Sequence, residues 1–328
     1  MKILEILPVG GLGNRLLSLA SCRLLARLQQ WRLCMLWTPA EYCPCVLEDL
    51  WAPGSGPMEI ETLEAYPPGS VCMLPFLYSQ SLPLLLELME KHPLVSVRGQ
   101  QLFHPAPGSS LSFREDFKQE FLSWVVSPYL ASQIPSLPAH TVGIHIRRQD
   151  HIRSIQYSPL ILFLRVMKKE LAHNPDTYFF ISTDDPTIWP LLTRHIPEQR
   201  LLRHPKGWLG RDSLAGMQAG FLDLITLSRC CRIYGAKYSS FCKFAAQYGD
   251  KPLHRIHSTR DPGCWHKASS LIDPWISWSA TRGWRPARNE TAIRRFKSFL
   301  ALLYTRYLLS PTYQLGFWHR AAPINPTS

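Results

Sequence analysis

The feature that most constrains this chain of 328 residues is an alternation between residues 141 and 248, where short apolar runs are separated by stretches with helical spacing. Thr141 to Ile146, Tyr178 to Thr183 and Cys231 to Ala236 have the length and apolar character of strands. Pro159 to Ala172, Pro186 to His195, Ser213 to Ser228 and Ser240 to Tyr248 have the pattern of helices. Strands and helices that alternate in this way predict a parallel sheet covered on both faces. Ligands of such sheets meet the carboxyl ends of the strands. The chain also opens on such a unit: Lys2 to Val9 reads as a buried strand, Gly10 to Gly13 as a tight turn, and Arg15 to Gln29 as a helix. Leu16, Ala20 and Leu24 share one stripe of that helix.

A chain of this length exceeds one ordinary hydrophobic core, so two packed lobes and an appendage are expected. The run Pro135, Ser136, Leu137, Pro138 reads as a linker. The expected division is an N-terminal lobe over 1–134, a second lobe over 139–262, and a Trp- and Arg-rich tail over 263–328 with a helix from about Glu290, capped by Asn289. The hundred residues after the first helix are broken by Pro and Gly and yield no clear order of elements.

With 46% apolar and 18% charged residues the chain is expected to be a soluble globular protein. Its formal net charge of +12 points to an acidic partner: phosphate, membrane surface or nucleic acid. From Trp265 onward nine Lys and Arg face only Asp273 and Glu290, so the tail is a candidate for peripheral contact with an anionic membrane. A basic nucleic-acid-binding protein is the third reading, and no nucleic-acid partner is expected. Nine cysteines without a repeated spacing suggest buried reduced thiols, and Cys43 and Cys45 are too close for a C-x-x-C pair. No metal site is expected. The opening MKILEILPV is too short an apolar run for a signal peptide, and no stretch reaches about 18 uninterrupted apolar residues. The cytoplasm is the default compartment. Asn289-Glu-Thr291 is a glycosylation sequon with meaning only in a secreted chain.

The most informative segment is Val142 to Asp150, VGIHIRRQD. A period of two puts His145 and Arg147 on one face of the strand and its exit, and Arg148 on the other. Two guanidinium groups beyond a buried strand end are costly unless an anion meets them, and arginine's planar fork suits a diphosphate. An ion pair with Asp150 is the plain alternative. Gly10 to Arg15, GGLGNR, lacks the spacing of a dinucleotide fingerprint and the Lys of a P-loop. Its missing Cβ atoms would let a ligand approach backbone N–H groups at a helix start, or simply make a turn. Ser239 and Ser240 in Tyr238-Ser-Ser-Phe241 stand where a cap or a phosphate donor would stand. Asp223, amid Phe221, Leu222, Leu224 and Ile225, needs a partner such as a guanine edge or an Arg. Asp184 and Asp185 would touch sugar hydroxyls or cap the next helix.

Taken in order, GGLGNR at Gly10 to Arg15, HIRRQD at His145 to Asp150, STDDP at Ser182 to Pro186 and DLITLSRCCRIYGAKYSSF at Asp223 to Phe241 resemble the superfamily of α1,2- and α1,6-fucosyltransferases and protein O-fucosyltransferases. The resemblance covers about residues 1 to 20 and 140 to 250. It implies an α/β fold of GT-B type, two Rossmann-like lobes facing across a cleft, and inverting, metal-independent transfer of fucose from GDP-fucose to a glycan or protein hydroxyl. No cofactor is implied beyond that donor substrate. It further implies that Arg147 holds the diphosphate with Arg148 in support, that His145 and Asp223 read guanine, and that Gly11, Gly13, Ser239 and Ser240 line the donor phosphates, with Asn14 also binding the donor and Asp184 and Asp185 nearby. No Asp-x-Asp metal motif occurs, so arginine takes the place of the cation. Asp150 is the candidate base, with His151 behind it. The α1,6 branch carries its base some ten residues after the motif histidine, where this chain has Ile155 with Gln156 beside it. A nucleotide-sugar-binding protein without turnover is therefore the alternative.

Overall fold

The computed structural model describes residues 2–258, apart from 41, 64, 66, 74–81, 100–112, 150 and 205–211. The tail from 263, its helix and the sequon lie outside the described residues, as does Asp150. In chain order the elements are β1 (Ile3–Pro8), α1 (Leu12–Gln29), β2 (Arg32–Met35), β3 (Val71–Met73), α2 (Leu82–Lys91), β4 (Leu94–Gly99), α3 (Phe113–Phe121) and α4 (Pro128–Ala131). They continue with β5 (Thr141–Ile146), α5 (Ile152–Tyr157), α6 (Leu160–His173), β6 (Tyr178–Thr183), α7 (Ile188–Thr193), β7 (Leu201–Leu202), α8 (Leu214–Arg229), β8 (Ile233–Ala236), α9 (Ser240–Tyr248) and β9 (Leu253–Ile256).

The chain divides into two compact units, and neither is continuous in sequence. The first holds Met1–Ser136, His204–Arg229 and Ser240–Lys251; the second holds Leu137–Arg203, Cys230–Ser239 and the chain from Pro252 onward. The expected second lobe of 139–262 therefore gives up α8 and α9 to the first unit, keeping β8 between them.

In the first unit a parallel sheet runs in the order β2-β1-β4-β3. Gly10, at φ +84°, turns the chain out of β1 in a conformation that suits glycine, and α1 starts just beyond the extended Gly11. Leu16, Ala20 and Leu24 are all fully buried, as their shared stripe requires. α1 packs on β1 and β2 and also on α3 and α9, which explains why it is buried well beyond one stripe. What brings α8 and α9 into this unit is aromatic packing. Trp51 meets Trp124 edge-on at 5.2 Å and Phe221 of α8 at 4.9 Å, while Phe121 meets Phe244 of α9 at 5.5 Å. Tyr248 then donates its hydroxyl to the Trp124 carbonyl at 2.9 Å.

The second unit carries a five-stranded parallel sheet in the order β7-β6-β5-β8-β9. Every residue of the central strand β5 is buried. Its apolar residues Val142, Ile144 and Ile146 share a core with Phe163 and Met167 of α6, Phe179 and Ile181 of β6, and Ile256 of β9. The strand order steps outward from β5 to β6 and β7 and then reverses to β8 and β9. The reversal makes a switch point between β5 and β8, which is where a doubly wound sheet opens a crevice for ligands.

Gly13 tests the packing of the first unit. A Cβ there would stand 2.7 Å from the Phe241 nitrogen, 2.8 Å from its Cα and 3.0 Å from the Ser240 carbonyl carbon, all backbone atoms that cannot swing aside. Gly13→Ala is expected to destabilise the protein by about 1–3 kcal/mol, as overpacking does, despite alanine's better helix propensity. A thermal melt showing an unchanged or raised Tm would contradict this placement of α9.

Candidate functional site

The residues just past β5, β6 and β8 stand at the carboxyl edge of the second unit's sheet. His145 pairs in register with Ser182 of β6 and with Gly235 of β8. The β5–β6 register runs one residue further, pairing Ile146 with Thr183. His145 is buried, its Nδ1 3.4 Å from the Ser182 hydroxyl.

The two arginines have different surroundings. Arg147 is half-buried. Arg148 is 5% exposed, and its Nη2 donates to the Ser158 carbonyl at 2.7 Å while Nη1 reaches the Arg147 carbonyl at 3.4 Å. Burial pushes its pKa down to about 10, with Asp184 and Asp185 pulling the other way, so the group remains a cation at neutral pH. Its backbone N–H donates to Asp184 Oδ1 at 2.6 Å, and that of Gln149 to Oδ2 at 3.3 Å. Arg148, expected among the reacting groups, is thus engaged by the protein itself.

Asp184, expected near sugar hydroxyls, holds the loop after β5. Asp185 accepts from the backbone N–H of Thr187 at 2.9 Å and from its hydroxyl at 2.7 Å, so it secures the turn into α7, which starts two residues later than the sequence suggested. Ser239 is buried at the end of β8's exit loop. Gly11, Gly13, Asn14, Asp223 and Ser240 belong to the first unit, whereas His145, Arg147, Arg148, Asp184, Asp185 and Ser239 belong to the second. Within the first unit Gly13 lies against Ser240 and Phe241. The space left by its missing Cβ is filled by that backbone. Asp223 is buried on α8. Arg15, the last residue of GGLGNR, is buried too, donating to the carbonyls of Gly10 at 2.9 Å and Thr38 at 2.7 Å.

His151, the reserve base of the sequence reading, caps α5: its Nδ1 accepts the N–H of Ser154 at 3.0 Å. Ile155, where the α1,6 branch has its base, is 1% exposed and apolar. Neighbouring Gln156 is 4% exposed, and neither its Oε1 nor its Nε2 has a hydrogen-bond partner.

Several residues here were missed by sequence reasoning. Ser158, fully buried, donates its hydroxyl to the Ile256 carbonyl at 2.6 Å and accepts the Lys237 N–H at 2.8 Å. Ser154 donates to the Lys237 carbonyl at 2.7 Å. Arg255 of β9 donates to the carbonyls of Ser239 at 2.8 Å and Ala236 at 3.3 Å. The exit of β8 is therefore clamped from both sides. The Ser-Pro pair at 158–159, a common helix-start signal, was the available clue to the first of these. Among the described residues no three His, Cys, Asp or Glu side chains gather as metal ligands, and no helix is long and apolar enough to cross a membrane.

The sequence matches no protein-family model and no curated relative. Solved structures do share its fold. NodZ, an α-1,6-fucosyltransferase of Bradyrhizobium, soaked with GDP-fucose, superposes with a TM-score of 0.52 at 16% identity, covering 78% of this chain and 95% of that one. POFUT1 in complex with GDP-fucose gives 0.52 at 11% identity, covering 78% and 98%. A mutant of Arabidopsis thaliana FUT1 in complex with GDP gives 0.51 at 13% identity, covering 80% and 71%. At these identities the likeness is one of fold: the chain has the α/β, GT-B-like fold of fucosyltransferases.

Ser158→Ala is expected to leave the Lys237 N–H and the Ile256 carbonyl without their partner, at about 1–3 kcal/mol for each buried group left unpaired. A thermal melt of the variant measures this, and an unchanged Tm would show that the two exits are held by something else.

Proposed function

We propose that this chain is a glycosyltransferase that moves fucose from GDP-fucose to a hydroxyl of a glycan or protein, with inversion and without a divalent metal. The observation that carries the reading is the arginine pair at the exit of the central strand, at the switch point of a sheet whose fold is shared with proteins crystallised with GDP-fucose or GDP.

In this reading Arg147 meets the diphosphate and Arg148 positions it from behind. When the bond from the sugar carbon to the phosphate oxygen breaks, negative charge collects on GDP while the sugar becomes oxocarbenium-like. A guanidinium already fixed beside that oxygen stabilises the departing group without reorganising. The acceptor hydroxyl attacks the opposite face of the sugar carbon and gives its proton to a carboxylate, for which Asp150 is the proposed base. His145 and Asp223 are proposed to read the guanine, and Gly11, Gly13, Asn14, Ser239 and Ser240 to line the donor.

Buried Ile155 at the place of the α1,6 base supports a second reading, a GDP-fucose-binding protein without turnover. Incubation with GDP-fucose and an acceptor panel separates the two, because release of GDP requires turnover.

Arg147→Ala is expected to lower turnover by about 10²–10³, with the fold retained. Near-normal activity in a folded variant would remove the assignment. In a thermal-shift panel GDP is expected to raise the Tm more than UDP, since only ligand bound to the native state stabilises it. Equal shifts would remove the guanine-reading roles.

A further inference from the structure

The first unit holds a pair of thiols that the proposed transfer leaves unused. Cys43 and Cys45 are buried, at 0% and 1% exposure, and their sulfurs lie 3.6 Å apart. The local chain brings them together. Pro44 between them fixes its own φ and biases Cys43 to extended backbone, and residues two apart on an extended chain share a face. Cys43 donates its backbone N–H to the Ala40 carbonyl at 2.8 Å and accepts that of Ala40 at 3.1 Å. The indole N–H of Trp37 donates to the Cys45 carbonyl at 2.8 Å.

Arg15 gives the pair its chemistry. Its guanidinium is buried, with Cζ 5.1 Å from the centroid of the Trp37 ring that also holds Cys45. Its hydrogen bonds go to the carbonyls of Gly10 and Thr38, and among the described residues no carboxylate pairs with it. A buried guanidinium without an acid is costly, and the two thiols are the groups whose negative charge would meet it. They answer it unequally. The hydrogen bond with Cys45 lowers the pKa of Cys43, with burial opposing and Arg15 assisting, whereas the same bond and burial raise that of Cys45. Burial alone leaves a thiol inert, but a thiolate beside a cation, with a second thiol in contact, is the arrangement of a nucleophilic and a resolving cysteine. Full burial also restricts the reagent: glutathione is too bulky to reach Cys43 in the folded chain, while hydrogen peroxide is scarcely larger than water.

We propose that Cys43 and Cys45, set beside the Arg15 guanidinium, form a peroxide-sensitive dithiol that closes into a disulfide. The Cys43 thiolate attacks one oxygen of the peroxide and the O–O bond breaks, leaving a sulfenic acid on Cys43 and a hydroxide that takes up the proton Cys43 had released. The Cys45 sulfur then attacks the Cys43 sulfur. The S–S bond forms, the S–O bond breaks, and the departing hydroxide leaves as water with the Cys45 proton. The thiols are thus oxidised to a disulfide while the peroxide is reduced to water. Closure draws the sulfurs from 3.6 Å to about 2.05 Å, a movement within the reach of side-chain rotation. Because Arg15 also holds the Gly10 carbonyl, the oxidation state of the pair bears on the glycine turn.

The test uses the full chain, folded and reduced. It is treated with hydrogen peroxide, its remaining thiols are blocked with iodoacetamide, and its peptides are weighed by mass spectrometry. The peptide bearing Cys43 and Cys45 is expected to be unalkylated and lighter by its two thiol hydrogens, and dithiothreitol is expected to restore both thiols. Cys45→Ser is expected to halt the reaction at oxidised Cys43, trapped by dimedone as the sulfenic acid, and Cys43→Ser to leave Cys45 unoxidised. Arg15→Met is expected to slow closure by about tenfold, since less of Cys43 is then thiolate, and Arg15→Lys to keep most of the rate. Each variant is compared at a temperature where its melt shows it folded. The parent alone decides the central point, whatever the variants do. Both thiols still open to alkylation after exposed Cys231 has been oxidised would overturn the proposal, as would a disulfide from either to a third cysteine, or closure only in urea. An unchanged rate in folded Arg15→Met overturns it too.

Discussion

A single buried serine ties together the loops of the second unit. Ser158 accepts from the guanidinium of Arg148 at its carbonyl, donates its hydroxyl to the end of β9 and accepts the N–H of Lys237 at the exit of β8. Three chain segments that leave the same sheet edge are thereby referred to one residue. The arrangement also answers the cost of burying Arg148, because a desolvated guanidinium is tolerable only where carbonyls and nearby carboxylates meet it. Asp184 contributes negative charge nearby: it binds backbone N–H groups of the arginine loop, and its field, with that of Asp185, favours the cation.

From this follows a division of labour between adjacent arginines that look alike in sequence. Arg148 is spent on the framework, and its positive charge stays in place whether or not a ligand is present. Arg147, one residue earlier, is less buried, and the strand period expects it on the face of His145. Electrostatic stabilisation works best when the charge is already oriented before reaction. In the proposed transfer, a fixed cation behind Arg147 would provide that orientation.

The second unit's sheet was largely legible from sequence, because β5 and β6 are short, uninterrupted apolar runs bounded by turn residues, and their limits were read to the residue. α9 was read equally well from its serine start. By contrast α5 has only six residues, ends just before Ser158 and Pro159, and has too few turns to show a period. The long Pro- and Gly-punctuated stretch of the first unit hid β2, β3 and β4, of which β2 and β3 have four and three residues. Such strands are fixed by their neighbours rather than by local pattern.

What no local pattern shows is which core a helix joins. α8 and α9 are apolar enough to pack on either sheet, and reading along the chain assigned them to the strands beside them. The deciding facts are remote: Trp51, far back in sequence, meets Phe221 edge-on, Trp124 packs at a tilt against Phe244, and Gly13 removes the one atom that would keep α1 from the start of α9. Gly13 and Ser158 are therefore alike. Each is a small residue that looks interchangeable in its own segment, and each acquires its role from backbone that arrives from more than 75 residues away.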